Sequence, residues 1–266
     1  MSLSGKTLKA SYVDLLQMDN SNSGVDTSSR IIKDGEGTLS ALALSDDSVN
    51  IRPVNDDTTT SLQVMTTNGD TVMQVDTTNE LVYGSGNIVN TQYAYFGMSQ
   101  GINTGNSADY HYPLIFGGPS FSGGVVMGDQ EPNFGNGTDP ATTFTTADAN
   151  DQRADDLIKH LWYVPDAMSI DSVTAIEGAS QSTGDTTRFH LMSYTFTSGS
   201  TSCLTSGTLV AHNSDTTNAG NEQVYKSTFT IDSAAVTSGK VLMAFFESDS
   251  VNSDYMYQVI VKYHLT

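Results

Sequence analysis

Five histidines, His111, His160, His190, His212 and His264, are the side chains of this chain best suited to bind a metal or move a proton. Metalloenzymes of the cupin type place two histidines one residue apart on a strand, with a glutamate a few positions later. Here no two histidines share one strand-length window, so the spacing predicts no metal site and no cofactor. Cys203 is the single cysteine, which excludes an intrachain disulfide and any Cys/His zinc spacing; it reads as a small residue in or beside a strand. The patterns G-x-S-x-G, G-x-x-x-x-G-K-[ST], H-E-x-x-H and the EF-hand loop are absent. Asp155 with Asp156, or Asp249 with Asp254, offer the two carboxylates that glycoside hydrolysis needs. Among 30 acidic residues such pairs arise by chance, and no catalytic residue is assigned. Asp46-Asp47, Asn55-Asp56-Asp57 and the run from Asp249 to Asp254 present oxygen atoms to a calcium ion but lack regular ligand spacing, and read as solvated turns. Aromatic side chains offer one more chemistry. Tyr93, Tyr95, Tyr110 and Tyr112 are candidate glycan-contacting residues, with core or subunit-interface packing as the competing role.

The elements that must position these residues are strands. The chain has 266 residues, 37% hydrophobic and only 15% charged, with Ser, Thr, Asn, Asp and Gly filling the difference. That balance is too apolar for disorder and too rich in β-branched and turn-forming residues for helices. A formal charge of −19 excludes nucleic acid as a natural partner, because phosphate binding relies on basic patches. Strands are expected at 88–98, 111–116, 157–164, 168–178, 187–196, 208–212, 223–231, 240–247 and 255–265. Tyr257, Val259 and Val261 alternate with Gln258 and Lys262, as a half-buried strand requires. The run Val241-Leu242-Met243-Ala244-Phe245-Phe246 is apolar on both faces, which predicts a central strand whose second face is covered by a neighbouring subunit. This density of strands and turns predicts an all-β fold, a jelly-roll-like β-sandwich burying Trp162, Phe189, Phe229 and Phe245. Residues 117–155 form a long Gly/Pro-rich excursion of the kind that contacts partners.

Residues 1–84 differ from the head at 85–266. Leu8, Tyr12, Leu15 and Leu16 share a helical face, but the polar run that follows predicts an extended arm. After it come short strands joined by turns, with Asn68-Gly69 as a hairpin signal between Leu62-Gln63-Val64-Met65 and Thr71-Val72-Met73-Gln74-Val75. Leu62, Val64, Met73 and Val75 make a narrow apolar stripe, and a lone hairpin is marginal in water. Together with Leu42 and Leu44 they are the candidate assembly interface.

The segments 15–25, 33–38, 42–45, 62–64 and 75–79 resemble the N-terminal part of virion structural proteins of tailed phages of aquatic bacteria, and residues 239–265 are similar in style to their heads. The resemblance covers roughly the first third of the chain. It implies a non-enzymatic homotrimer attached to other virion proteins, as a capsid decoration or short head fibre, through an N-terminal arm or shaft. The alternative is a tail fibre that recognises host surface glycan. The N-terminus lacks the apolar core of a signal peptide, and no run of about 18 apolar residues occurs. The expectation is therefore a protein made in the host cytoplasm, resident on the virion and not inserted in a membrane.

Overall fold

A computed structural model of the chain describes residues 16–18, 20, 23–100, 108–117, 132–146, 154–180, 183–250 and 254–266. It divides into two compact units, Met1–Val89 and Asn90–Thr266. The expected helical face of Leu8, Tyr12 and Leu15 lies outside the described residues.

The first unit is built from two antiparallel meanders. One runs β1 (Gln17–Met18), β2 (Arg30–Lys33), β3 (Leu39–Leu44), β4 (Val49–Ile51); the other runs β5 (Leu62–Met65), β6 (Thr71–Asp76), β7 (Leu81–Gly84), β8 (Asn87–Ile88). The β5–β6 hairpin forms as expected, with Leu62 opposite Val75 and Val64 opposite Met73. Its loop is longer than a two-residue turn: the Thr66 N–H bonds the Asp70 carbonyl, Gly69 takes φ +89°, and the register shifts between Val64 and Met65. Asn68-Gly69 therefore closes the hairpin through a bulge, with glycine at the left-handed position. The sequence around Tyr83-Gly84-Ser85-Gly86 reads as a domain boundary, yet it is a second hairpin. Ser85 and Gly86 both have positive φ, as a type I′ turn requires, and Gly84 pairs with Asn87. The pairing holds 87–88 in the first unit, which ends at Val89 and not at Gly84.

The second unit is a β-sandwich. Its strands are β9 (Thr91–Gln100), β10 (Tyr112–Pro113), β11 (Ile115–Phe116), β12 (Trp162–Tyr163), β13 (Met168–Ser180), β14 (Thr186–Phe196), β15 (Leu204–His212), β16 (Thr216–Thr217), β17 (Gln223–Thr228), β18 (Thr230–Ile231), β19 (Ala235–Val236), β20 (Lys240–Ser248) and β21 (Asp254–Leu265). One sheet has the order β11-β9-β21-β13-β17 and the other β10-β20-β14-β15-β18; β19, β12 and β16 add short pairings. Ala94, Phe96, Val173, Val259 and Val261 of the first sheet meet Phe189, Leu191, Leu242, Ala244 and Phe246 of the second in one core. Trp162, Phe189, Phe229 and Phe245 are all buried. Residues 157–164, expected as a strand, instead contain the end of a short helix α1 (Ala154–Leu157), a 3-10 turn (Ile158–His160) and only two strand residues, Trp162 and Tyr163.

The apolar run of β20 is covered on its second face by this chain itself. Leu242, Ala244 and Phe246 point between the sheets, while Val241, Met243 and Phe245 join Met192, Tyr194, Leu204, Phe134, Phe144 and Leu157 in a second core. Phe134 stacks on Phe144 with centroids 4.7 Å apart and meets Phe245 edge-on at 4.7 Å. Residues 132–146 of the expected partner-contacting excursion thus serve as a lid over one sheet. No neighbouring subunit is needed to cover β20. Gly207 permits this closeness: a Cβ there would lie 2.7 Å from the Tyr194 ring and 2.8 Å from the Thr142 Cα. Residues 118–131 and 147–153 of the excursion lie outside the described residues.

Candidate functional site

The candidate assembly residues lie on single-layer sheets. Leu62, Val75 and Val82 are opposite one another across β5, β6 and β7, and Val64 and Met73 form the next rank. Val64 is 47% exposed and Met73 38%, while Leu62 and Val75 are half-buried. In the other meander Leu42 pairs with Ile51 and Leu44 with Val49; the leucines are half-buried and their partners exposed. A concave surface of about 640 Å³ lies along this meander, lined by Ile31, Ala41, Ala43, Val49 and Ile51 among others. Among the described residues of the first unit only Ile32 and Asp76 are buried. Turns hold the sheets instead: Asp34 accepts from the Glu36 and Thr38 N–H groups, and Asp76 from the Asn79 N–H and side-chain amide. These bonds hold both carboxyl groups below the usual carboxylate range.

The four candidate tyrosines do not share a surface. Tyr93 and Tyr95 project from the outer face of β9, opposite Lys262 and Ile260, and are 55% and 42% exposed. Tyr112 is buried in the inter-sheet core, and Tyr110 is half-buried against it. The pleat accounts for this: Tyr112 and Leu114 point inward, so Tyr112 has no face to offer a glycan.

Strand order achieves for histidine what sequence spacing does not. β20 lies between β10 and β14, with Tyr112 opposite Phe246 and His190 opposite Phe245. His111, just before β10, then falls beside Glu247 on the lidded face, and His190 projects from the same face of β14. The ligand atoms of His111, His190 and Glu247 lie within 4.8 Å of one another, the one such cluster among the described residues. This corrects the expectation of isolated histidines. His111 Nε2 is 3.2 Å from Glu247 Oε2, and the two imidazoles meet edge to face with centroids 4.8 Å apart. Both histidine side chains are essentially inaccessible, while Glu247 is one-fifth exposed. Burial, reinforced by the neighbouring His111, Arg188 and His212, pushes His190 down to about 3, so its imidazole stays neutral. The sequence held one clue: a histidine between Phe189 and Leu191, in a strand covered on both faces, must be held by something.

The remaining candidates have ordinary roles. Asp155 and Asp156 sit in the first turn of α1, where carboxylates favour the helix N-terminus. Asp249 accepts from the Thr186 N–H at 2.7 Å; Asp254 is described only as a strand position. Cys203 is buried beside β15, and burial pushes its thiol up, away from reactivity. His212 pairs with Asp232 at 2.7 Å and His264 with Asp171 at 2.8 Å. No helix among the described residues is long and apolar enough to cross a membrane. No protein-family model and no curated protein sequence matches the chain.

Proposed function

We propose that this chain is a non-enzymatic phage virion structural protein, a capsid decoration or short head fibre that assembles as a homotrimer through its N-terminal unit and exposes its β-sandwich. The observation that carries this reading is the contrast in covering. Val49, Ile51, Val64, Met65, Val72, Met73 and Val82 stand exposed on sheets one layer thick. Full burial of one such side chain stabilises by about 1.5–3 kcal/mol, so covering these faces is a strong drive to associate. A jelly roll is the sandwich expected of a virion head, and the pairing supports it. Taking β9, β10, β13, β14, β15, β17, β20 and β21 as eight strands, the first pairs with the last, the second with the seventh, the third with the sixth and the fourth with the fifth. That is a long antiparallel hairpin rolled on itself. The resemblance of the first third of the chain to tailed-phage virion proteins supplies the particle.

The test is the double substitution Leu62→Asp with Val75→Asp, which puts two charges on the stripe. The purified variant is expected to lose the trimer in light scattering while the sandwich keeps its aromatic circular dichroism. Unchanged assembly contradicts the proposal. Exposed Tyr93 and Tyr95 support a second reading, glycan recognition as a tail receptor-binding protein; saturable binding on a glycan array, lost in Tyr93→Ala, would favour it.

A further inference from the structure

We propose that His111, His190 and Glu247 bind one divalent transition ion, zinc being the ion their chemistry fits best. Each member of this cluster has a buried atom with no hydrogen-bond partner: His111 Nε2, His190 Nδ1 and Glu247 Oε2. The lid decides which nitrogen of His111 faces Glu247. His111 Nδ1 lies 3.1 Å from the Gly135 carbonyl, which can only accept, so this nitrogen carries a proton and Nε2 is the one available to a metal. His190 Nδ1 is buried with no hydrogen-bond partner, while its Nε2 lies 3.6 Å from Asp139 of the same lid segment. A backbone carbonyl of the lid thus orients His111 with Nε2 toward Glu247. Outer-shell bonds to carbonyls orient metal-binding histidines in this way.

A proton on His111 Nε2 would satisfy the pair with Glu247 and leave His190 Nδ1 bare; a cation satisfies all three atoms. Ligands at about 2.1 Å in a tetrahedron are about 3.4 Å from one another. The observed 3.2 Å from His111 to Glu247 already matches, and the 4.8 Å limit on the set asks for a modest side-chain contraction. Two imidazole nitrogens and a carboxylate oxygen suit zinc, whereas calcium and magnesium prefer all-oxygen sites. Glu247 also lines a polar pocket of about 160 Å³ with Asp109, Arg188, Asp215 and Asp249. Four carboxylates against one guanidinium attract a cation to the exposed side of Glu247. The bound ion ties β10, β14 and β20 together beneath the lid, whatever the chain's place on a particle.

The test uses the full untagged chain, stripped with a chelator and titrated with zinc chloride by calorimetry, with metal counted after dialysis. One zinc per chain is expected. Glu247→Gln and His111→Gln should each weaken binding by at least tenfold, while Asp56→Asn with Asp57→Asn, in an acidic loop of the first unit, should leave it unchanged. Aromatic circular dichroism of each variant shows that the sandwich is folded, and Glu247, the most exposed of the three, is the substitution least able to disturb it. No saturable uptake at one ion per chain overturns the site, as does uptake that Glu247→Gln leaves intact, which assigns the zinc to surface carboxylates.

Discussion

The two units solve the same problem, an apolar sheet face that must leave water, in opposite ways. The second unit covers β20 twice, once with the facing sheet and once with residues 132–146. The first unit spreads two four-stranded meanders whose apolar residues stay largely exposed, and holds their shape with carboxylate-bonded turns. A chain can thus contain strands of similar composition whose apolar faces differ in covering: one unit buries them by internal packing, and the other leaves them exposed.

Substitutions at matched positions sharpen this difference. The largest effect is expected at Phe245, fully buried between Phe134 and Tyr194. Phe245→Ala should cost the second unit about 3–5 kcal/mol, read as a fall in Tm that does not depend on protein concentration. Leu62→Asp should remove concentration dependence from the Tm of the first unit, since only an associated unit is stabilised by mass action. A concentration-independent Tm for the unsubstituted first unit would break the comparison.

A smaller effect separates the units by pH. Burial raises the Glu177 carboxyl above the usual range, although the Thr187 hydroxyl donates to it at 2.7 Å. The folded state therefore favours the protonated acid. Its contribution to stability is complete below the ordinary glutamate value and is lost as pH rises through the raised value. Glu177→Gln should raise the Tm of the second unit at pH 7 and change it little at pH 4; equal changes at both values would contradict this. Asp26, Asp34 and Asp76 of the first unit are shifted down by their hydrogen bonds, so their contribution is present at neutral pH and lost as pH falls through the lowered values. Acid should loosen the first unit's turns while Glu177 acts in the opposite sense.

Much of the fold is legible in residue patterning. The alternation of Tyr257, Val259 and Val261 with Gln258 and Lys262 identifies β21 and its buried face, and the two-faced run at 241–246 identifies a central strand. What covers that strand is not legible, because Phe134 lies between Pro132 and Gly135, and Phe144 between threonines, without periodicity. The short apolar stretch before Val164 illustrates a related limit: so few residues fit a helix turn as well as a strand. The histidine cluster is hidden for a different reason. His111, His190 and Glu247 come from three segments far apart in sequence, and only the order β10-β20-β14 makes them neighbours.

The most direct measurement is the solution mass, by light scattering, of the full chain and of residues 90–266. A trimeric full chain and a monomeric, folded sandwich are predicted. A sandwich that remains trimeric, or a full chain that is monomeric at every concentration, would contradict the claim that the first unit is the one completed by copies of itself.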